Sequence, residues 1–277
     1  MKVAIQGSPA SFHETAAHRY FGKRIELVYC KSFRESCGML AGNQVDYAVM
    51  AIENTIAGAI LPNYGLLHEL GLHIFGETQI PVRLSLLALP GSSLHEIEFV
   101  LSHPVALRQC TRYLAGLPHL VLQEGPDTAS CARTVAGKKL AFTAAIATAE
   151  AAPQYGLDIL ATRIEDHAEN FTRFWILSKG RNPAPDADKA SACFLLPHRG
   201  GSLADLLSEL AATGVNIQRI QSLPVAGDAS QYRFFIDFSW SESGCYENAL
   251  AALYRHSAQM RVLGKYKSGE ILKTTKT

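Results

Sequence analysis

A chain of 277 residues is long enough for about two domains, each with a hydrophobic core. Its 48% hydrophobic and 18% charged residues are typical of a globular protein, and none of its apolar runs is long enough to span a bilayer. The formal net charge of +1 and the scattered positions of the six cysteines argue against a nucleic-acid partner, a disulfide framework and a zinc site. The first residues lack the pattern of a secretory signal, so we expect a cytoplasmic protein with no membrane partner.

Residues 1–180 predict the same order of strands and helices twice. The first copy has a strand at 3–6, a helix at 11–20, a strand at 25–30, a helix at 33–40, a strand at 47–52, a further helix, a strand at 72–76 and an apolar run at 82–89. The second copy has a strand at 99–101, a helix at 104–114, strand 120–122, helix 128–135, strand 140–143, a helix through Ala151, strand 159–162 and a run at 172–177. Arg83 and Arg173 also occupy comparable places in the two final runs. We therefore predict one α/β architecture used twice.

Alternating strands and helices predict mainly parallel sheets, whose ligands bind beyond the carboxyl ends of the strands. Two such lobes would share a cleft between them. Polar residues follow several predicted strands, and some can cap the next helix, as Asp127 can at residue 128. Several helix N-termini at one cleft favour an anionic small ligand, and the sequence has no Gly-x-Gly-x-x-Gly or Walker motif to indicate a nucleotide cofactor.

The stretch Asn170-Phe171-Thr172-Arg173-Phe174 places polar groups in an apolar run that favours a buried strand. Buried polar groups need partners in the protein or a ligand. The stretch is therefore either part of a binding site or a strand edge in which Arg173 forms a structural ion pair.

Seven segments, in this order, resemble the prephenate dehydratase family. They are Gln6-Gly7-Ser8-Pro9-Ala10-Ser11-Phe12, Ile52-Glu53-Asn54-Thr55-Ile56-Ala57-Gly58, Leu101-Ser102-His103-Pro104, Asp127-Thr128-Ala129, Ala144-Ala145-Ile146-Ala147, Tyr155-Gly156-Leu157 and Asn170-Phe171-Thr172-Arg173-Phe174. The resemblance implies a duplicated two-lobe catalytic domain like a periplasmic binding protein. It also implies a carbon–oxygen lyase of phenylalanine biosynthesis, which converts prephenate to phenylpyruvate with loss of water and carbon dioxide and uses no metal or organic cofactor.

The resemblance further implies the site residues. Thr172 would donate a hydrogen bond, or act as general acid, toward the departing hydroxyl, and Phe174 would shape the ring pocket. Arg173 would either bind a carboxylate or brace an acidic residue such as Glu53. His103 is a candidate general acid, with a loop-bracing role as the alternative. The implied substrate-binding residues are Gly7, Ser11, Asn54, Thr55, Ser102, Thr143 and Ala144.

The C-terminal third predicts a separate module. Residues 181–189 are polar and contain proline, which is typical of a linker, and residues 190–277 predict a ferredoxin-like βαββαβ order. This segment resembles an ACT domain, the amino-acid-sensing module of bacterial prephenate dehydratases, which implies L-phenylalanine as an effector bound at a dimer interface. The implied effector-binding residues are Gly201, Ser202, Leu203, Asn216, Ser222 and Pro224.

The chain departs from the family pattern at a few positions. The Glu-Ser-Arg-Pro motif of the regulatory domain is Gln221-Ser222-Leu223-Pro224 here, so both charged members are missing. In the catalytic region Ala10 replaces Gly, Thr55 replaces Ser, and His13 stands where a small hydroxyl residue is common.

We therefore expect a catalytic domain at 1–180, with lobe one at about 1–80 plus 163–180 and lobe two at about 81–162, and a regulatory domain at 190–277. Pairing of the regulatory domain would give a homodimer or homotetramer. Three alternatives stay open: an arogenate dehydratase that acts on the aminated substrate, a non-catalytic two-lobed sensor of small molecules, and a scaffold.

Overall fold

The computed structural model describes residues 1–181, 184–225 and 227–269. Within these ranges the chain forms three β-sheets with helices packed against them. The elements up to residue 178, besides a short 3-10 turn at Leu94–Glu96, are β1 (Lys2–Gln6), α1 (Phe12–Phe21), β2 (Glu26–Cys30), α2 (Phe33–Ala41), β3 (Tyr47–Asn54), β4 (Gly58–Ala59), α3 (Leu61–Glu69), β5 (His73–Pro81), β6 (Ser85–Ala88), β7 (Phe99–Ser102), α4 (Pro104–Arg108), α5 (Thr111–Ala115), β8 (Val121–Glu124), α6 (Thr128–Gly137), β9 (Thr143–Ala147), α7 (Ala151–Tyr155), β10 (Asp158–Thr162) and β11 (Phe171–Ser178). The later elements are β12 (Lys189–Leu195), α8 (Ser202–Ala212), β13 (Asn216–Val225), β14 (Asp228–Ser239), α9 (Cys245–His256) and β15 (Ala258–Tyr266).

The first two sheets have the same topology. The first sheet has the order β2-β1-β3-β11-β5, with β4 beside β3, and the second has the order β10-β6-β9-β7-β8. When the second order is reversed, β8, β7 and β9 take the places of β2, β1 and β3, while β6 and β10 take the places of β11 and β5. The prediction of one architecture used twice is confirmed. We call the first sheet with its helices lobe one, and the second sheet with its helices lobe two.

One strand from each copy crosses into the other lobe. β6 follows β5 in the chain but lies in lobe two, whereas β11 follows β10 but lies in lobe one. Both strands pair antiparallel with their neighbours. The prediction of mainly parallel sheets was therefore wrong, since parallel pairing is confined to β2-β1-β3 and β8-β7-β9 among the described strands. Two parallel strands need a crossover connection, usually a helix that packs on the same sheet. A strand that enters from the other lobe lacks this connection, so it can pair antiparallel.

Polar side chains define where several helices begin. Ser11 and Asp127 accept backbone N–H groups in the first turns of α1 and α6. The helix predicted at 104–114 is instead two short helices, α4 and α5. The carboxylate of Asp166 accepts the backbone N–H of Thr111 at 3.0 Å and so caps a second helix start. No helix in the described part of the chain is long and apolar enough to cross a membrane.

The third sheet has the order β13-β14-β12-β15, and all its pairs are antiparallel. Helices α8 and α9 cover one face, so the ferredoxin-like prediction is confirmed. The other face packs on lobe one through a shared hydrophobic cluster that includes Trp175 and Leu177 from β11 and Phe235 and Leu263 from the third sheet. The third sheet is therefore attached directly to the strand that carries the Asn170–Phe174 segment.

The predicted linker is described only in part, since residues 182 and 183 lie outside the described ranges. From residue 184 onward the segment follows β15. The N–H of Ala184 donates to the carbonyl of Lys265, and that of Asp188 donates to the carbonyl of Tyr266, both at 3.3 Å. Lys189 already belongs to β12. The described part of this segment is therefore hydrogen-bonded to the third sheet.

Gly264 sets how closely the third sheet approaches lobe one. A Cβ atom at this position would lie 2.3 Å from the carbonyl oxygen of Ile74 and 2.7 Å from its Cβ. Gly264→Ala is therefore expected to lower the free energy of unfolding by about 1–3 kcal/mol, because the two backbones must separate. Urea denaturation followed by circular dichroism would measure the change. Gly180→Ala is the control, since a Cβ there meets no atom of the described residues within 4 Å. Equal midpoints for the two variants would contradict the prediction.

Candidate active site

A cleft of about 840 Å³ lies between the two lobes. Lobe one contributes Gly7, Asn54 and Thr172 to its lining, and lobe two contributes His103 and Gln109. The cleft therefore draws on segments that are far apart in the sequence. Its size suits a small molecule.

The first turns of five helices reach this cleft. The residues that line it from α1, α2, α3, α4 and α6 are Phe12, Phe33, Leu61, Val105 and Thr128. A helix N-terminus presents unpaired N–H groups and a partial positive charge. Lys31, which is exposed just after β2, adds a full positive charge to the lining. These helix ends and Lys31 favour an anionic ligand, although the lining also contains the carboxylate of Asp127.

Thr172 and Asn54 form the central polar pair of the cleft. They lie opposite each other on the antiparallel strands β11 and β3. The amide Nδ2 of Asn54 donates to the Oγ1 of Thr172 at 3.1 Å. Because the threonine oxygen already accepts this bond, its own hydrogen is available for a different acceptor. Thr172 lines the cleft, so that acceptor can be a bound ligand.

The side chain of Asn54 is fixed by further bonds from both lobes. Its Oδ1 accepts the backbone N–H groups of Ile56 at 3.0 Å and Ala57 at 2.9 Å, which close the turn after β3. The same oxygen accepts the Nε2 of Gln109, from lobe two, at 3.2 Å. Asn54 is 8% exposed, so these bonds satisfy a buried amide. The orientation of Asn54 therefore depends on both lobes.

Thr55 and Asn170 support this pair from behind. The hydroxyl of Thr55 donates to the Oδ1 of Asn170 at 3.1 Å and accepts the N–H of Phe171 at 3.0 Å. Asn54 also donates to the Oδ1 of Asn170, at 2.9 Å. Thr55 does not line the cleft; it joins the loop after β3 to the start of β11.

His13 lies beside the aromatic wall of the cleft. Its ring meets the ring of Phe174 edge to face, with 5.0 Å between the centroids. Its Nε2 accepts the backbone N–H of Ala51 at 3.4 Å, which leaves the hydrogen on Nδ1. Burial lowers the pKa of His13 to about 3. The imidazole is therefore neutral at physiological pH.

His103 is the N-cap of α4. Its Nδ1 accepts the backbone N–H of Val105 at 3.2 Å, and the side chain also lines the cleft. Burial lowers its pKa, and Arg108 acts in the same direction, whereas Asp127 and Glu124 oppose the shift. The geometry agrees with the loop-bracing role, and the ring is close enough to the cleft to reach a ligand as well.

The structure brings together most of the residues predicted at the catalytic site. Those that line the cleft are Gly7, Ser11, Asn54, His103, Thr172 and Phe174. Ser102 does not line it: this residue is fully buried, and its hydroxyl donates to the carbonyl of Ile146 at 2.7 Å. Ser102 therefore joins β7 to β9 beneath the cleft.

Thr143 and Ala144 were predicted at the cleft, and this placement was wrong. The strand predicted at 140–143 lies at Thr143–Ala147, and Thr143 pairs in parallel with Phe99 at the start of β7. Both residues are thus at the amino end of their strand, whereas the cleft lies at the carboxyl end. Thr148 takes the position that was assigned to Thr143, and its hydroxyl donates to the carbonyl of Ala10 at 3.1 Å.

Arg173 does not line the cleft. Alternate residues of a strand point to opposite faces, so Thr172 and Phe174 face the cleft while Arg173 faces the third sheet. Its Nε donates to Glu77 at 2.7 Å, and its Nη1 lies 2.7 Å from Asp237. Of the two roles that the sequence left open, the geometry supports the brace.

The predicted effector residues lie at two ends of the third sheet. Ser202 and Leu203, at the start of α8, line a second cavity of about 370 Å³. Ser222 and Pro224 are on the edge strand β13 near the same end, because β12 and β13 both pair with β14 there. Asn216 begins β13 at the opposite end. Gly201 precedes α8 with a φ of 86°, which favours glycine.

Sequence reasoning missed Lys31 and Gln109, which both line the cleft, as site residues. Gln109 was hidden because the helix at 104–114 was predicted as continuous, whereas Gln109 lies at its break. Asp127 was predicted both as a residue beside the cleft and as a helix cap. It lines the cleft, and its carboxylate accepts the N–H and the hydroxyl of Ser130 at 2.7 and 2.6 Å. His13 was noted only as a departure at the opening turn.

The partly buried imidazole of His13 predicts a pH dependence of stability. Its pKa falls from 6.5 to about 3 on folding, so between these values the unfolded chain binds a proton that the folded chain does not. Stability is therefore expected to fall as the pH decreases below about 6.5, and His13→Gln should make this slope shallower. Urea denaturation in steps between neutral and mildly acidic pH measures it, with His119→Gln at an exposed position as the control. An unchanged slope in His13→Gln would rule out this origin.

Comparison with known proteins agrees with this geometry. A family model described as prephenate dehydratase matches residues 3–182. Arogenate dehydratase 1 of Petunia hybrida is 36% identical over 285 residues, which cover 96% of this chain and 66% of that protein. The chain thus spans about two thirds of the length of this relative.

Two solved structures share the whole fold. Prephenate dehydratase from Arthrobacter aurescens in complex with L-Phe is 26% identical, with a TM-score of 0.88 over 99% of this chain and 94% of that chain. GqqA, described as a novel type of quorum quenching acylase, is 29% identical, with a TM-score of 0.87 over 97% of this chain and 98% of that chain. These similarities confirm the predicted two-lobe fold, like that of a periplasmic binding protein, and its ferredoxin-like third sheet. The chain belongs to the prephenate dehydratase family.

Proposed function

We propose that the protein is a prephenate dehydratase, a carbon–oxygen lyase that converts prephenate to phenylpyruvate in phenylalanine biosynthesis. The observation that carries the proposal is the hydroxyl of Thr172, which accepts a hydrogen bond from Asn54 and keeps its own hydrogen for the cleft. This donor lies where the first turns of several helices favour a dianion. Prephenate provides both features, two carboxylates and a departing hydroxyl.

The reaction requires positioning more than strong acid–base chemistry. The bond from the ring to its carboxylate breaks, its electron pair moves into the ring, and the opposite carbon–oxygen bond breaks as the ring becomes aromatic. The departing oxygen gains negative charge and becomes water once it is protonated. A hydrogen bond from Thr172 would stabilise that charge as it develops, and Phe174 would pack against the ring.

The carboxylates would bind to the helix N-termini and to Lys31.

The chain of bonds from Gln109 through Asn54 to Thr172 crosses from lobe two to lobe one. Closure of the lobes on the substrate would therefore also orient the catalytic hydroxyl. This arrangement supports an enzyme in preference to a non-catalytic sensor or a scaffold, neither of which needs an oriented hydroxyl in its binding cleft.

Prephenate is favoured over arogenate by the charges of the cleft. The two substrates differ at one side-chain group, a keto oxygen in prephenate and an ammonium in arogenate. Among the described lining residues the carboxylate is that of Asp127, and both its oxygens accept bonds from Ser130. The Asp127 carboxylate is engaged as the cap of α6, which makes it a weaker partner for an ammonium, whereas the neutral His13 can donate to a keto oxygen. The name of the Petunia hybrida relative supports arogenate as the alternative.

The acylase description of GqqA suggests a different chemistry. Acyl transfer by a hydroxyl needs a neighbouring base to remove its proton. In the described contacts of Thr172 its oxygen meets the amide of Asn54. An amide donor orients a hydroxyl but cannot deprotonate it, and the geometry therefore supports the lyase.

We further propose that residues 1–180 form the catalytic domain and residues 190–277 a regulatory domain that binds L-phenylalanine, in a cytoplasmic homodimer or homotetramer. The cavity at Ser202 and Leu203 and the L-Phe complex of the Arthrobacter aurescens structure support the effector. Because Asn216 lies at the far end of β13, a second copy of the chain would be needed to bring it to that cavity.

Removal of the Thr172 hydroxyl tests the mechanism. Thr172→Ala should lower kcat by about two to four orders of magnitude while the fold remains intact, because the charge on the leaving oxygen loses its donor. Thr172→Ser is the matched control, since it keeps the hydroxyl and should retain most of the activity. Circular dichroism and urea denaturation would verify folding. Near-normal turnover in Thr172→Ala would remove this residue from the mechanism.

The substrate is tested by assays of the purified protein with prephenate and with arogenate. Prephenate should give phenylpyruvate, which absorbs strongly in alkali, with the higher kcat/KM of the two. L-phenylalanine should bind in calorimetry and change the rate. A higher kcat/KM for arogenate would assign the alternative activity, and binding without product from either substrate would support a sensor.

A further inference from the structure

Six charged side chains are enclosed between lobe one and the third sheet, and we call them the charge cluster. Lobe one contributes Glu53, Glu77 and Arg173, and the third sheet contributes Lys189, Arg219 and Asp237. The side chains are at most 8% exposed except that of Glu53, at 34%. Charges buried to this degree need partners, and their contacts therefore constrain the structure strongly.

Arg173 is the centre of the cluster on the lobe-one side. Its Nε donates to Glu77 at 2.7 Å, and its Nη1 lies 2.7 Å from Asp237 and 3.8 Å from Glu53. Its Nη2 donates to the hydroxyl of Tyr266 at 3.4 Å. One guanidinium on β11 is thus joined to strands of both sheets.

Arg219 is its counterpart on the third sheet. From β13 it forms an ion pair with Glu53 and donates to the hydroxyl of Tyr64, and its Nε lies 3.7 Å from Asp237. Its guanidinium carbon lies 5.8 Å from the centre of the Tyr64 ring. Arg219 therefore connects β13 directly to β3 in lobe one.

The charges balance only when the two parts are together. The lobe-one members are two carboxylates and one guanidinium, whereas the third-sheet members are two cations and one carboxylate. Either part alone would carry an unbalanced charge on the surface that the other part covers. The third sheet thus completes the electrostatics of the strands on which the cleft is built.

The cluster is directly adjacent to the pair Asn54 and Thr172 on both strands. Glu53 pairs with Arg173 across β3 and β11, and the next pair is Asn54 with Thr172. Strand alternation places the first pair toward the third sheet and the second toward the cleft. A displacement of Glu53 or Arg173 must therefore move the backbone that carries Asn54 and Thr172.

We propose that Arg219, with Arg173, is a positioning residue for the reaction. Through these two guanidinium groups the third sheet holds β3 and β11 so that the hydroxyl of Thr172 stays directed at the substrate. This inference rests on the proposed function, because it concerns the same site. It adds that a residue of the third sheet, outside the cleft, controls turnover. It also gives β13, the strand with Asn216 and Ser222, a direct connection to the catalytic strands.

The test compares Arg219→Met with Arg261→Met in the full-length protein. Arg261 spans the same interface from β15, where it donates to the backbone carbonyls of Leu72 at 2.6 Å and His68 at 3.4 Å. Its hydrogen bonds in the described structure go to these carbonyls and do not reach β3 or β11. Both variants lose one interface guanidinium, so the comparison separates positioning from loss of stability.

Arg219→Met should lower kcat by about tenfold to a hundredfold with little change in KM, because a small displacement of the catalytic hydroxyl affects the transition state more than binding. Arg261→Met should keep the wild-type kcat. Hydrogen exchange should increase at residues 53–57 and 171–174 in Arg219→Met alone. Arg219→Lys should recover part of the loss because it keeps the charge opposite Glu53.

Equal kcat values for the two methionine variants, or a loss confined to KM, would overturn the inference. If Arg219→Met does not fold, the double variant Glu53→Gln with Arg219→Met is used instead. The second change removes the carboxylate that the loss of Arg219 leaves unpaired. A wild-type kcat in the double variant would equally overturn the inference. A wild-type protein that converts neither substrate would refute the proposed function instead, and the exchange measurement would still test the positioning.

Discussion

The pairing of β3 with β11 is the constraint on which the rest of the structure depends. These antiparallel strands place Asn54 opposite Thr172 on the cleft side and Glu53 opposite Arg173 on the other. A shift by one residue would turn all four side chains to the wrong face. The register is held from both sides, by the bond of Gln109 to Asn54 and by the buried charges of the third sheet. In the proposed reaction a weakly acidic hydroxyl is useful because the strand register and the bonds from both lobes fix its direction.

The exchange of β6 and β11 between the lobes explains why the cleft lies where it does. Each lobe has a parallel core of three strands, whose carboxyl ends lead into helices that begin at the cleft. The crossing strands join the lobes at the base of the cleft. Val82 and Leu84, which precede β6, line the cleft. Thr172, the proposed catalytic residue, lies on the other crossing strand. The position of the hydroxyl is thereby linked to the relative position of the two lobes.

The opening turn shows how a departure from the family pattern is accommodated. Ala10 has a φ of 62°, a left-handed conformation that costs about 1–2 kcal/mol for a residue other than glycine. Two bonds from lobe two hold this turn: Tyr155 donates to the carbonyl of Pro9 at 2.7 Å, and Thr148 donates to that of Ala10 at 3.1 Å. The strained turn is thus stabilised by its surroundings, and His13 follows it into the wall of the cleft.

The sequence by itself determined the duplicated order of elements, the helix starts at Ser11 and Asp127, the ferredoxin-like C-terminal module and the importance of Asn54 and Thr172. These features depend on residues near one another in the chain, through hydrophobic periodicity, capping and motif order.

Tertiary structure decided the rest: the exchange of strands between lobes, the antiparallel entry of β11, the break that directs Gln109 into the cleft, and the partners of Arg173. The error at Thr143 has the same origin, because the apolar residues 140–147 allow more than one strand register. Such features depend on contacts between segments that are far apart in the sequence. Arg173 and its partner Glu77 are separated by 96 residues, and Asn54 and its partner Thr172 by 118. Local patterns carry no information about which distant strand, or which buried charge, will complete a pair.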